Sequence, residues 1–269
     1  MLKTVDMAQG LPPCVYSNVE LDNRAVSEVI DYYSLVFSEH EAGQKYLSKR
    51  GIKDIELISR LQIGFCDRSL GHQLQQLTFM EEQAKRGALQ RVGLLKSSGH
   101  EFLRGALVFP FFNEDGKVIS AYGRRITPKL RSGSYYFLHW YKHQEAVFFN
   151  HEALSKQNEI ILCKNPIEAL IWLSHGFDNA IGLMGCQSYC SQHVDMLKYN
   201  GVSKVLIAYG TSREELVYAR KANLLNIKAG LETRMLVLPD AMDASGYAMS
   251  VDNPIKGLTK AYMQPYILD

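Results

Sequence analysis

The run Glu159-Ile-Ile-Leu-Cys-Lys-Asn-Pro-Ile-Glu-Ala-Leu170 constrains the fold of this chain more than any other stretch. Four apolar residues lead to Lys164, Asn165-Pro166 makes a tight turn, and Ile167–Leu173 resumes at helical spacing. A buried strand that feeds a helix is the unit from which parallel sheets are built. Ligands of open α/β sheets bind outside the carboxyl ends of the strands. Lys164 is expected at such an end, and its role there is the central question.

The pattern repeats downstream. Ala180–Leu183, Lys204–Tyr209 and Thr233–Leu238 read as strands, with helices expected over Ser191–Tyr199 and Arg213–Leu225. Alternation of this length implies a parallel sheet. Upstream the texture differs. Val26, Val29, Ile30, Tyr33, Val36 and Phe37 predict a helix within Asn23–Leu47, followed by helices over Ala42–Arg50, Asp54–Leu61 and part of 69–92. Ala106–Phe112 and Lys117–Tyr122 flank Glu114-Asp-Gly116, a strong hairpin signal. Tyr135–Leu138 and Ala146–Phe149 predict further short strands, and His151–Lys156 a short helix. The expected organisation is α/β: an arm (1–22), a mixed α+β subdomain (23–155) and a parallel-sheet domain (156–269).

Composition narrows the function. No window approaches the roughly 20 apolar residues of a membrane span. The first ten residues lack an apolar signal-peptide core, so a cytoplasmic protein is expected. The net charge is only +2, so nucleic-acid affinity must come from a local patch. Five scattered cysteines argue against a disulfide framework. Cys186, Cys190 and His193 have a spacing too loose for structural zinc, and buried thiols are expected.

One patch stands out. Arg104, Lys117, Arg124, Arg125, Lys129 and Arg131 are opposed only by Glu114 and Asp115 in the hairpin turn. Tyr135, Tyr136, Trp140 and Tyr141 follow, with His139 and His143 among them. Cations beside aromatic rings suit a single strand, whose phosphates meet charge and whose bases stack. The competing reading is a solvated rim over core aromatics. Arg124 is the first candidate contact.

The order of these motifs resembles the RNA-polymerase core of bacterial DnaG-type primases over about residues 40–250. Glu41–Ile52 with Leu61–Phe65 resembles the start of that core, and Leu107–Phe111, Asp115–Ile119 and Tyr122–Arg124 its central hairpin. Ile160–Leu170, Val205–Gly210 and Leu238–Asp243 fall where its Toprim domain has three signature segments. Asn150 and Met242–Ala248 resemble the primase-like Toprim proteins of phages and mobile elements. The resemblance implies a Toprim-type parallel-sheet domain, DNA replication, and a single-stranded DNA or primer-template partner. A helicase or another replication or mobile-element protein is a further partner it implies. It also implies a cysteine-rich zinc module, for which nothing before residue 40 has the spacing.

At the acidic positions the chain departs from that pattern. An active Toprim centre holds Mg²⁺ on a glutamate after the first strand, an acid four residues on, an Asp-x-Asp after the third strand and an acid after the fourth. Here those positions carry Lys164, Glu168, Gly210-Thr211-Ser212 and Asp243. An ammonium repels the ion, by roughly 4 kcal/mol per unit charge product at ~4 Å and an effective dielectric near 20. Loss of metal-dependent catalysis is therefore expected, with no cofactor and with Lys164 paired to Glu168 or Asp243 or contacting a phosphate. A rearranged Mg²⁺ site could draw on Glu168, Asp240 and Asp243, or on Glu214 and Glu215, which otherwise read as first-turn helix residues. That leaves a nucleic-acid-binding pseudo-primase as the leading reading. An active primase or Toprim nuclease and a protein-interaction subunit are the alternatives.

Overall fold

A computed structural model describes residues 18–130, 132–142, 145–239 and 242–264. The expectations for Arg131, Asp240, His143, Cys14 and most of the arm fall outside the described residues.

The first described element is α1 (Val19–Glu39), whose buried face includes Ala25, Val26, Val29, Ile30, Tyr33 and Phe37. The helical spacing continues beyond Phe37, yet the helix stops. His40 turns extended, and its Nδ1 accepts the amide of Gly43 at 3.0 Å, starting α2 (Glu41–Ser48). A histidine cap thus divides what periodicity alone would join. α3 (Ile55–Arg60), β1 (Gly64–Phe65), α4 (Leu70–Leu74) and α5 (Phe79–Arg91) follow. Next come β2 (Ala106–Phe112), β3 (Val118–Arg125) and β4 (Phe137–Tyr141). These strands form an antiparallel sheet in the order β1-β2-β3-β4, with a register shift at Phe111/Phe112.

Residues 146–149 do not form a strand. Phe149 makes an isolated antiparallel bridge to Gly182, and Asn150 turns left-handed. The Asn150 amide donates to the carbonyl of Ala180 at 2.9 Å and so fixes the crossing point.

The second half contains β5 (Glu159–Cys163), α6 (Pro166–Leu173), β6 (Ala180–Gly182) and α7 (Ser191–Tyr199). It continues with β7 (Lys204–Ala208), α8 (Arg213–Lys228), β8 (Glu232–Met235), α9 (Ala244–Ser250) and α10 (Pro254–Met263). Its sheet is parallel, ordered β6-β5-β7-β8. α6 starts as the sequence suggests. The Asn165 side chain accepts the Glu168 amide at 3.0 Å, and Pro166 occupies the first turn. Every residue of α6 is buried. Gly182 lets β6 pass this turn, since a Cβ there would stand 3.0 Å from the Asn165 and Pro166 backbone.

One apolar cluster joins both sheets. Leu107, Phe109, Phe111 and Tyr122 of the antiparallel sheet pack in it with Phe149, Ile161, Trp172 and Leu206. The carboxyl edge of the parallel sheet therefore lies beside one face of the antiparallel sheet. A second cluster fills the other face of the parallel sheet, and a third packs α1 and α5 on the antiparallel sheet.

Candidate functional site

β5 ends at Cys163, and Lys164 emerges at the carboxyl edge. Its partner is neither Glu168 nor Asp243. The ammonium lies 2.5 Å from a carboxylate oxygen of Glu215, with about a fifth of each side chain exposed. Glu215 is not merely a first-turn helix residue. It belongs to a capping box at the start of α8: its Oε2 accepts the Ser212 amide at 3.1 Å, and its own amide donates to Ser212 Oγ at 3.3 Å. The signal was present as Ser212-x-x-Glu215, which folds the carboxylate back over the helix start toward the end of β5.

Burial opposes charge on both partners, and the pairing overcomes it. Burial lowers the pKa of Lys164, but Glu168, Glu215 and Asp243 together hold it above its ordinary value. Burial raises that of Glu215, but its bonds to Lys164 and Ser212 hold it below the usual carboxylate range. Gly210, where the resemblance leads one to expect an aspartate, has φ +111°, and a Cβ there would stand 2.6 Å from Glu215 Oε2. The carboxylate fills the space that a side chain at this position would need.

Glu168 and Asp243 have structural partners too. Glu168 is buried, and its Oε2 accepts the amide of Ala244 at 3.1 Å. Its pKa is pushed up to about 7, by burial first and by neighbouring Asp243 next. Asp243 is exposed and caps α9 by accepting the Gly246 amide at 2.7 Å. Glu168, Asp243, Gly210, Trp172 and Tyr209 line a small cleft at this edge. This donor set does not fit Mg²⁺. Glu168 is committed to the Ala244 amide, Asp243 caps a helix, and the Lys164 ammonium beside them would repel the ion. Among the described residues, no three or more His, Cys, Asp or Glu side chains are grouped to hold a metal ion.

Across the cleft stands the end of β3. Arg124 donates from Nε to the Tyr46 hydroxyl at 2.9 Å. Its guanidinium carbon lies 4.6 Å from the ring centre of Phe137 and 4.9 Å from that of Tyr136. Tyr46 also carries Arg50 at 3.8 Å. The Tyr122 phenol feels both Arg124 and Glu168, which ties this cationic rim to the acidic edge. Tyr135 is 65% and Phe137 52% exposed, with Tyr136 and Tyr141 less so, so an aromatic surface remains open beside Arg124. From sequence, Tyr46–Arg50 with Lys45 reads as a solvated basic helix face rather than a nucleic-acid contact, and Phe137 reads as an ordinary apolar strand position.

Two expected members of this surface lie elsewhere. Trp140 is buried, and its indole donates to the carbonyl of Val92 at 2.7 Å. It packs under α5 and offers no face to a base, because β4 alternates and position 140 points inward. Lys117 sits at the far end of β3, 3.6 Å from Asp115. Lys129 is exposed, and Arg104 and Arg125 are half-buried. Cys190 Sγ stands 3.3 Å from His193 Nδ1, while His193 packs between Phe148 and Tyr189.

Residues 32–137 match the family model of the DNA primase catalytic core, N-terminal domain. The structure superposes on the zinc-binding and RNA polymerase domains of the Aquifex aeolicus primase with a TM-score of 0.78. That match covers 96% of this chain and 64% of that one, at 19% identity. The fold is that of a bacterial primase core. A DnaG primase catalytic domain bound to single-stranded DNA gives a TM-score of 0.74 over 92% of this chain and 80% of that one, at 18% identity. Among curated proteins, the DNA primase of Pasteurella multocida is 24% identical over 234 residues, 82% of this chain. That of Listeria monocytogenes is 24% identical over 246 residues, 84% of this chain. The primase-like chain spans under two-fifths of the length of these two relatives, 39% and 37%.

Proposed function

We propose that this primase-like chain binds single-stranded nucleic acid through the Arg124 rim, while its Toprim-type centre has exchanged metal chemistry for an internal ion pair. The observation that carries this reading is the Lys164–Glu215 contact at 2.5 Å. A cation of the chain itself neutralises the edge where a divalent ion would be needed. The open aromatic surface beside Arg124 supports the binding half. So does a primase catalytic domain of this fold that was solved bound to single-stranded DNA. The motif order further supports a primase-like protein of the type carried by phages and mobile elements.

The test is paired. Primer synthesis is assayed with Mg²⁺ and with Mn²⁺, and binding of a labelled oligothymidylate is measured with and without a chelator. Expected are no primers, and binding that is indifferent to the chelator. Arg124→Ala is expected to weaken binding by about 1–3 kcal/mol, since it removes a phosphate contact and unseats Tyr136. Primers made with either ion, and abolished by Asp243→Asn, would establish the competing reading of an active primase with a rearranged site. That reading has support in the proximity of Glu168 to Asp243 and in the names of the relatives.

A further inference from the structure

Successive residues of a strand point to opposite faces. Arg124 faces the cleft, so Arg125 faces away from it. Arg125 Nε donates to the carbonyl of Arg104 at 3.3 Å, and its Nη1 donates to the carbonyl of Tyr135 at 3.0 Å. A third arginine joins them. Arg68 has a left-handed backbone (φ +79°), and its guanidinium lies over Gly105, where a Cβ would stand 3.4 Å from Nη2. The Arg125 and Arg68 guanidinium groups thus both lie against the Arg104–Gly105 backbone, and Arg104 and Arg68 both depress the pKa of Arg125, after burial.

No described residue forms an ion pair with any of the three. The acids nearest in the chain are engaged elsewhere. Glu101 is buried and accepts the Tyr33 hydroxyl at 2.8 Å and the Cys66 thiol at 2.9 Å. Asp67 accepts the amide and hydroxyl of Ser69. Of the three guanidinium groups only that of Arg125 is fixed by backbone carbonyls, and an anion among them relieves the repulsion between their charges. The planar fork of arginine matches phosphate oxygens in pairs. The Tyr135–Tyr136 segment touches both sides: Arg125 bonds the carbonyls of Tyr135 and Tyr136, and Arg124 packs on the Tyr136 ring.

We infer that Arg68, Arg104 and Arg125 form a phosphate-binding site at the Arg125 end of β3, on the side of the antiparallel sheet opposite Arg124. Its ligand is a backbone phosphodiester of the same strand that Arg124 engages, after that strand crosses the rim over Tyr135 and Tyr136. The inference rests on the single-strand reading above for the source of the phosphate, and on the arginine cluster alone for the anion site.

The experiment measures binding of a labelled oligothymidylate across a salt series to wild type, Arg124→Ala and the double variant Arg68→Ala with Arg104→Ala. The double variant spares Arg125, whose side chain bonds the rim carbonyls, and thermal melting checks its fold. The double variant is expected to bind about tenfold more weakly, with a salt slope shallower by ~0.7 for each phosphate left without its arginine. Wild-type affinity and slope in the double variant, with binding weakened in Arg124→Ala, would overturn the inference and leave the single-strand reading intact. If the oligomer fails to bind wild type, the single-strand reading fails. The anion site is then judged by titrating inorganic phosphate and following the arginine Nε–Hε resonances. Saturable shifts at Arg68 and Arg125 retain the site with a free phosphate as ligand, and unmoved resonances overturn it.

Discussion

Lys164 and Glu215 stand 51 positions apart, and one short contact joins them. Removing one partner leaves the other charge under-solvated among Glu168 and Asp243. Lys164→Met should therefore cost about 2 kcal/mol of stability, between the value of a surface pair and that of a fully buried one. Urea unfolding checks this, and an unchanged midpoint would mean that the contact is ornamental. Two buried groups of opposite sense set the response to acid. Glu168 is raised from its ordinary 4.5 to about 7, so the folded state binds its proton more tightly. Its contribution to stability is greatest below 4.5 and declines as pH rises to about 7. His193 is lowered from 6.5 to about 4 by burial, so its contribution is full above 6.5 and is lost as pH falls to about 4. Each displacement is worth roughly 3 kcal/mol, so the two offset across the mildly acidic range. Glu168→Gln should make the loss of stability on acidification steeper, and His193→Phe should make it shallower. Parallel pH profiles for both variants and wild type would contradict these assignments. The groups facing Glu168 are Asp243, Lys164, the Ala244 amide and Glu215, with Lys164 held above and Glu215 below its ordinary value.

At the level of elements, the start of α8 matters most. Ser212 caps the helix, Glu215 completes the box, and Gly210 supplies the left-handed backbone that lets the carboxylate reach Lys164. Restoring an acid by Gly210→Asp should destabilise the protein by about 1–3 kcal/mol, since it forces a side chain into φ +111° and against Glu215. It should confer no metal affinity. Thermal melting with and without Mn²⁺ reads both effects, and a metal-dependent rise in Tm would contradict the claim. Much of this element was legible in the chain. β5 and α6 follow from an apolar run, an Asn-Pro turn and helical spacing, and the structure reproduces each. The partner of Lys164 was not legible, because pairing across β5 and α8 depends on sheet order, and periodicity is blind to order. The break at His40 was missed because it depends on one ring nitrogen capping a helix. Trp140 was misplaced because a short strand of aromatics gives no sign of which alternate positions face inward.

For the whole molecule, the shared apolar cluster fixes the rim of one sheet opposite the edge of the other. Tyr122 lies buried between them, within reach of both Arg124 and Glu168. On the proposed reading, this arrangement pairs a primase-like fold with an edge whose charge is balanced by the Lys164–Glu215 ion pair. If the proposed contacts are to phosphates, single-strand binding should be independent of divalent ions and steeply dependent on monovalent salt. The most direct test of the closed centre is Mn²⁺ binding to the intact chain, followed by electron paramagnetic resonance. The free-ion signal should match that of buffer in wild type, with no stoichiometric site. One tightly held equivalent of Mn²⁺, released by Asp243→Asn, would contradict the claim that Lys164 and Glu215 have replaced the metal.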